Sequence, residues 1–374
     1  MKLPLTLSIY IGRQFLVAVA VTILAMLAIV GLVELLELVR RSSDSTHNVP
    51  FVVVFEMMAL KLPTSAEKIY PFAFMVGSMV ALGKLTRNSE LVVTRAAGIS
   101  VWQFLMPGII MSMVMGIIFV TLFNPVAAIT IARYQRMETK YISNKPSLLS
   151  ILPSGLWLRQ IDEKGITFKG QTVDEYVLHA VRMDPATLDL ETVILFLYDK
   201  NHHFLGRIDA SSATLKPGQW EIHDALLSLP GDVPQASPHY VMPTQLTMTQ
   251  IEDSFSDPET FSFWQLPSFI RVLEKAGFSA LQHKLHFHSL VAMPLLLAGM
   301  LMLSAVFSLR PPRRGQTGIL IVMGMAVGFM YYFATNVIYA LGSAGSLPIA
   351  LAAWAPSLIV VMIASSALLH LEDG

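Results

Sequence analysis

The sequence predicts a helical membrane protein of six transmembrane helices, three on either side of an all-β, jelly-roll-like insert. Six apolar runs, each able to cross the roughly 30 Å hydrocarbon layer, flank a long stretch whose pattern changes to period two. Composition agrees, because 54% of the 374 residues are hydrophobic and only 14% charged, too apolar for a soluble chain of this length. Lys and Arg total 26 and so do Asp and Glu, leaving no basic arm for nucleic acid and no acidic tail. Cysteine is absent, which excludes disulfides, thiolate metal sites and cysteine nucleophiles.

The spans fall at about 12–39, 52–84, 100–126, 284–308, 316–341 and 347–370. The first is longer than a signal-peptide core and ends without a small-residue cleavage pattern, so it is read as a span. The second carries Lys61, Pro63, Ser65, Glu67 and Lys68 before the cleaner run Pro71 to Leu82, so its polar half is expected to face protein or a wet cavity. Short-loop cations set the orientation. Lys2, Arg13, Lys84, Arg87, Arg95, Arg310, Arg313 and Arg314 fall on one side and only Arg40 and Arg41 on the other, which predicts cytoplasmic termini and a periplasmic insert.

The expected boundaries are 1–129 for the first three helices, 130–280 for the insert with the helix that follows it, and 281–374 for the last three. Alternation marks strands at 156–161, 165–169, 176–181, 192–198, 204–214, 220–228 and 240–248, separated by Gly, Pro, Asn and Asp. Seven or more short strands point to a sandwich or jelly roll. Helical spacing returns at Phe269, Ile270, Val272 and Leu273, predicting an amphipathic helix over about 264–276 at the membrane surface.

Between spans two and three, Lys84 to Gly98 reads as a short cytoplasmic helix over about 86–98. Ser89 or Asn88 can cap it, Glu90 lies in the first turn where the helix dipole favours an anion, and Gly98 ends it. Leu91, Val92 and Val93 have no soluble domain of this chain to pack on, so a partner protein is the expected cover. The other reading is a helix in the headgroup layer with Arg87 and Arg95 on lipid phosphates.

Ser89-Glu-Leu-Val-Val with Ala97-Gly98 resembles the cytoplasmic coupling helix of the LptF/LptG lipopolysaccharide-export permeases, the LptG-type subunit being the closer match. Tyr10-Ile11-Gly12, Pro71, Trp264, the stretch Lys284 to Pro294, and Leu347-Pro348 through Trp354-Ala-Pro356 agree in order along the whole chain. The resemblance implies a heterodimer with an LptF-type permease, an LptB-type ATPase dimer that uses ATP and Mg, a bitopic LptC-type protein and an LptA-type periplasmic bridge. Its substrate would be lipopolysaccharide, drawn from the outer leaflet of a bacterial inner membrane, with the insert passing acyl chains on from between its sheets. Arg87, Glu90, Leu91, Val92 and Arg95 would couple to the ATPase. Leu24, Leu27, Phe72, Met75, Met330 and Phe333 would line half of the lipid cavity.

The residues themselves supply no nucleotide site. Gly77 to Gly83-Lys84 has one residue too many for a phosphate loop and lies in a span, so no cofactor is expected on this chain. Arg40 and Arg41 suit paired phosphate contact as well as ordinary interfacial anchoring, and the resemblance favours the former. Where the family's first helix often has a further lysine, this chain has Glu34, followed by Glu37, so Glu34 must pair with Arg41 or a neighbouring helix, or the headgroup contacts differ. His283, His286 and His288 lack a metal-site pattern and read as interfacial residues; His202 and His203 read as a polar turn. Gly324 and Gly328 permit close helix contact. No catalytic elbow or carboxylate dyad is present, so the chain is read as a transport subunit without a catalytic site. An LptF-type subunit, a membrane scaffold with a recruiting β domain, and an ATPase-coupled permease for another lipid are the alternatives.

Overall fold

The computed structural model describes residues 5–43, 49–88, 90–96, 98–142, 156–168, 171–183, 189–244, 257–275, 279–309 and 317–373. The cations at Lys2, Arg310, Arg313 and Arg314, the cap at Ser89 and strand residues 245–248 lie outside them. The chain divides into a helical unit (Met1–Ser143, Pro258–Leu266 and Leu281–Gly374) and a β unit (Asn144–Asp257 and Pro267–Ala280).

In the helical unit, α1 (Leu5–Ser43) and α2 (Phe51–Arg87) pack along each other. They run antiparallel, since Val19 meets Gly77 near one end and Glu34 meets Lys61 near the other. A Cβ at Gly77 would lie 2.6 Å from the Cα of Val19, so only glycine allows this approach. α3 (Glu90–Ala96) leads to α4 (Val101–Ile118), a π-turn (Phe119–Phe123) and α5 (Asn124–Tyr141), which together form one rod.

The apolar run of span three stops near residue 126, yet the helix continues to Tyr141, and the expected boundary at 129/130 falls inside it. Ala127, Ala128, Ile131 and Tyr134 are buried at helical spacing, and Ile131 and Tyr134 share a cluster with Val54, Met57 and Met58 of α2. Packing on protein prolongs the helix after its affinity for lipid ends.

α7 (Leu281–Ser308), α8 (Thr317–Ser343) and α9 (Ile349–Asp373) follow α6 (Leu266–Lys275), and among the described residues six helices are long and apolar enough to span a membrane. α6 is the expected amphipathic helix, burying Leu266, Ile270 and Leu273. The core of the helical unit joins Phe15, Phe74, Met75, Leu105, Leu297 and Leu301 from four helices. α8 joins it along a glycine seam, where a Cβ at Gly324 would strike Met79 and one at Gly328 would strike Met75 and Phe72.

The β unit is one antiparallel sheet of β1 (Leu156–Phe168), β2 (Gln171–Met183), β3 (Leu190–Tyr198), β4 (Phe204–Lys216), β5 (Gln219–Ser228) and β6 (Gln235–Pro243), paired in chain order. Short connections force each strand beside its predecessor, so the crossings of a true jelly roll do not arise among the described residues. The runs expected at 156–161 and 165–169 are a single strand, β1, whose register against β2 shifts between Ile161 and Ile166; the charged segment at the irregularity breaks the alternation. The sheet curls on itself. Gln160 of β1 accepts hydrogen bonds from the Tyr176 hydroxyl and from Thr244 Oγ1 (2.6 Å), just beyond β6, and the Phe168 ring lies 6.3 Å from that of Tyr240. The two edge strands thereby close over a core of Tyr176, Leu195, Ile208, Trp220, Ile222 and Met242, which gives the jelly-roll-like enclosure.

Candidate functional site

The elbow between α2 and α4 is tightly bounded. The Asn88 N–H closes α2 on the Lys84 carbonyl (3.0 Å), and Gly98 reverses the chain at φ +80°, a conformation that favours glycine. Ser100 then caps α4: its Oγ accepts from the Gln103 N–H (3.2 Å), while Gln103 Oε1 accepts from the Ser100 N–H (3.3 Å). α3 lies between these two stops.

Glu90, the first residue of α3, accepts hydrogen bonds from the Tyr10 hydroxyl (3.1 Å) and from Asn88 Nδ2 (3.2 Å). Lys84 Nζ donates to Gln14 Oε1 (3.2 Å). Tyr10 and Gln14 are one turn apart on α1, so the start of α1 is clasped to the elbow at two points. The Thr86 hydroxyl donates to the Ser308 carbonyl (3.1 Å), bringing the end of α7 to the same place. Glu90 is half-buried and Arg87 exposed, and Val93 is 68% exposed. Leu91, Val92 and Arg95 belong to α3, but their side chains lie outside the described residues.

At the opposite end of α1 the cations are not alike. Arg40 is exposed, whereas Arg41 is paired with Glu138 of α5. Glu34 is answered by α2: Lys61 Nζ lies 2.6 Å from its Oε2 and the Ser65 hydroxyl donates to its Oε1 (3.1 Å). Lys61 also stands 5.6 Å above the ring of Tyr134. The acid that departs from the family's basic pattern is thus neutralised by a neighbouring helix. Arg133 and Arg136 of α5 are exposed three residues apart. Sequence reasoning missed them because it ended span three too early; the signal was their shared helical face in an otherwise amphipathic segment.

The expected cavity residues separate into three environments. Leu24, Met330 and Phe333 are exposed and Leu27 half-buried. Phe72 is half-buried against the glycine seam of α8. Met75 is fully buried beneath Gly328, where it supports the wall from behind. His283 is buried within the helical unit, its ring 5.6 Å from that of Phe261, and His286 is half-buried. His202 and His203 lie in the β3–β4 turn as expected: Asp199 Oδ1 accepts from the N–H groups of Asn201 and His203, both at 2.8 Å.

Residues 9–370 match the family described as lipopolysaccharide export system permease LptF/LptG. The chain is similar to the lipopolysaccharide export system permease protein LptG of Haemophilus influenzae, 23% identical over 373 residues and covering 96% of each chain. It is similar also to the protein of that name from Escherichia coli K12, 21% identical over 361 residues and covering 93% of each. Tyr10, Glu90, Arg40 and the glycine seam all fall inside the matched range, and the chain belongs to the LptF/LptG family of lipopolysaccharide export system permeases.

Proposed function

We propose that this chain, a permease subunit of the lipopolysaccharide export system, is the LptG-type partner in an LptF-type/LptG-type heterodimer. Six apolar helices and the permease family fit a multi-pass inner-membrane protein. Both termini are cytoplasmic and the β unit periplasmic in this reading, as the short-loop cations favour. An LptB-type ATPase dimer docks at α3, burns ATP with Mg, and drives closure of the helices. Lipopolysaccharide leaves the outer leaflet of the membrane and passes to an LptC-type protein and an LptA-type bridge.

The observation that carries this reading is the elbow. A short helix exposes Val93, and its first residue, Glu90, is bonded to α1 as well as to the end of α2. A push on α3 therefore reaches α1 directly, beyond the two helices that α3 connects. α1 in turn presents Leu24 to whatever fills the space beside it and carries Arg40 at its far end, where a guanidinium suits phosphate oxygens. Arg133 and Arg136 extend the exposed cationic surface of the helical unit, while Arg41 braces α1 against α5.

Glu90→Lys, purified with its partners and reconstituted, tests the coupling role. The expected result is weakened ATPase association or ATP hydrolysis that no longer moves lipopolysaccharide. Association and transport both at wild-type levels would remove Glu90 from the mechanism. Joint reversal of Arg40, Arg133 and Arg136 to glutamate is expected to reduce crosslinking of lipopolysaccharide severalfold, and undiminished crosslinking would contradict phosphate contact.

A further inference from the structure

A cavity of about 290 Å³ opens in the helical unit among α2, α7, α8, α9 and the turn Pro258–Thr260. It lies at the end of α7 away from the elbow, because Thr86 ties the elbow to Ser308 whereas His286 is near the start of α7. Its mouth carries Lys68 and Glu259, paired at 3.1 Å and both partly exposed, beside Glu67, which accepts from Asn124 Nδ2 (3.0 Å). Below the mouth, Phe72, Leu290, Met293, Leu296, Ala353 and Pro356 form an apolar wall. His286 lies inside, and its Nε2 has no hydrogen-bond partner among the described residues.

Of the residues assigned to the lipopolysaccharide surface, the cavity shares Phe72 and takes none of Leu24, Leu27, Met75, Met330 or Phe333. On α8 it takes residues 328, 331, 332, 335, 336 and 339, one helix face at 100° per residue. Met330 points to the opposite face and Phe333 lies beyond the edge of the cavity face. A pocket of this size is at the lower limit for ligand sites and accommodates a headgroup with part of one chain, not a multi-acylated saccharide.

We propose that this cavity binds one glycerophospholipid with a zwitterionic ethanolamine headgroup. One lysine faces two glutamates, so the mouth carries no surplus of positive charge and offers little to a polyanionic lipid. A zwitterion matches it group for group: its phosphate meets Lys68, its ammonium meets Glu259, and the Lys68–Glu259 pair is exchanged for two equivalent pairs. Carboxylate acceptors call for N–H donors, which a primary ammonium has and a quaternary choline lacks. The apolar wall takes an acyl chain, but lipid tails are as apolar outside the cavity as within, so selectivity resides in the headgroup. The direction of transport proposed above determines only which leaflet supplies the lipid; the site itself does not depend on it.

The test uses the purified permease complex, equilibrated in mixed micelles with equal amounts of phosphatidylethanolamine, phosphatidylcholine and phosphatidylglycerol, then washed and its retained lipid quantified by mass spectrometry. Wild type is expected to retain about one phosphatidylethanolamine per chain, enriched roughly tenfold over either competitor, the factor that about 1.4 kcal/mol of selectivity provides. Ala353→Phe fills the cavity and is expected to abolish the enrichment, whereas Val337→Phe on the opposite face of α8 is expected to preserve it. Lys68→Glu changes only the mouth and is expected to lose the preference, and the exchange Lys68→Glu with Glu259→Lys to restore it. Equal retention of the three lipids, enrichment that survives Ala353→Phe, or displacement of the phospholipid by added lipopolysaccharide would each overturn the proposal.

Discussion

α1 and α2 lie side by side and meet solvent, lipid and protein in opposite ways. Within its apolar window only 11% of α1 is buried inside the chain, against 56% of α2, although α1 is much the more apolar. The order is the reverse of that in a water-soluble core. Lipid is as good a neighbour for leucine as another leucine is, so an apolar helix gains little by retreating, whereas polar side chains and glycines draw a helix inward. α2 carries Lys61, Ser65, Glu67 and the buried Ser78 and presents Gly77 to α1. α8 is the informative third case. It is as open as α1, yet it carries Tyr332 and Asn336 on the face that lines the cavity as well as the exposed Met330 and Phe333 outside it.

The contrast breaks first at the contact that creates it. Gly77→Leu drives a side chain into the backbone of Val19 and is expected to cost about 3 kcal/mol, read as loss of folded protein and a lowered Tm in detergent. Lys61→Ala comes next. It strands Glu34 between α1 and α2 at a cost of about 2 kcal/mol, less than for a fully buried pair because both side chains keep some exposure, and Lys61→Met with Glu34→Gln should recover most of it. Tyr10→Phe removes one hydrogen bond from Glu90, about 1 kcal/mol, and is expected to lower transport per ATP a few-fold while lowering Tm only slightly. Leu24→Ala, on the open face of α1, should leave Tm within the effect of about 0.5 kcal/mol.

The β unit offers a smaller, pH-dependent contrast. Hydrogen bonding to Arg159, helped by His202, holds the Glu175 carboxyl below its ordinary 4.5. The stabilisation is complete above the unfolded carboxylate range and is lost as pH falls through the lower folded value. Hydrogen-exchange protection factors in β2 of the intact protein, corrected for the intrinsic pH dependence of exchange, should fall as pH drops below the ordinary carboxylate range, and Glu175→Gln should flatten that dependence.

The spans were legible because crossing a bilayer imposes length and apolarity together. So was the elbow in part, where a glycine and a short apolar run are local signals; the helix expected over 86–98 spans Glu90–Ala96, because Thr86 and Arg87 complete α2. What stayed hidden is relational. Nothing near Glu34 in the sequence marks Lys61 as its partner, since the two meet only when α1 and α2 run antiparallel. Tyr10 gave no sign of reaching Glu90 across 80 positions. The extension of α5 to Tyr141 escaped because its apolar stripe packs on α2 rather than lipid, and the strand count rose by one because the irregularity in β1 imitates a turn.

The absence of cysteine permits one direct measurement of sidedness, on which coupling from a cytoplasmic ATPase to a periplasmic bridge depends. Val93→Cys in the elbow and Lys200→Cys in the β3–β4 turn would be exposed separately to a membrane-impermeant maleimide in intact spheroplasts. The proposed orientation predicts labelling of Lys200→Cys at once and of Val93→Cys only after the membrane is opened. The reverse pattern would place the elbow beyond reach of any cytoplasmic ATPase and contradict the mechanism.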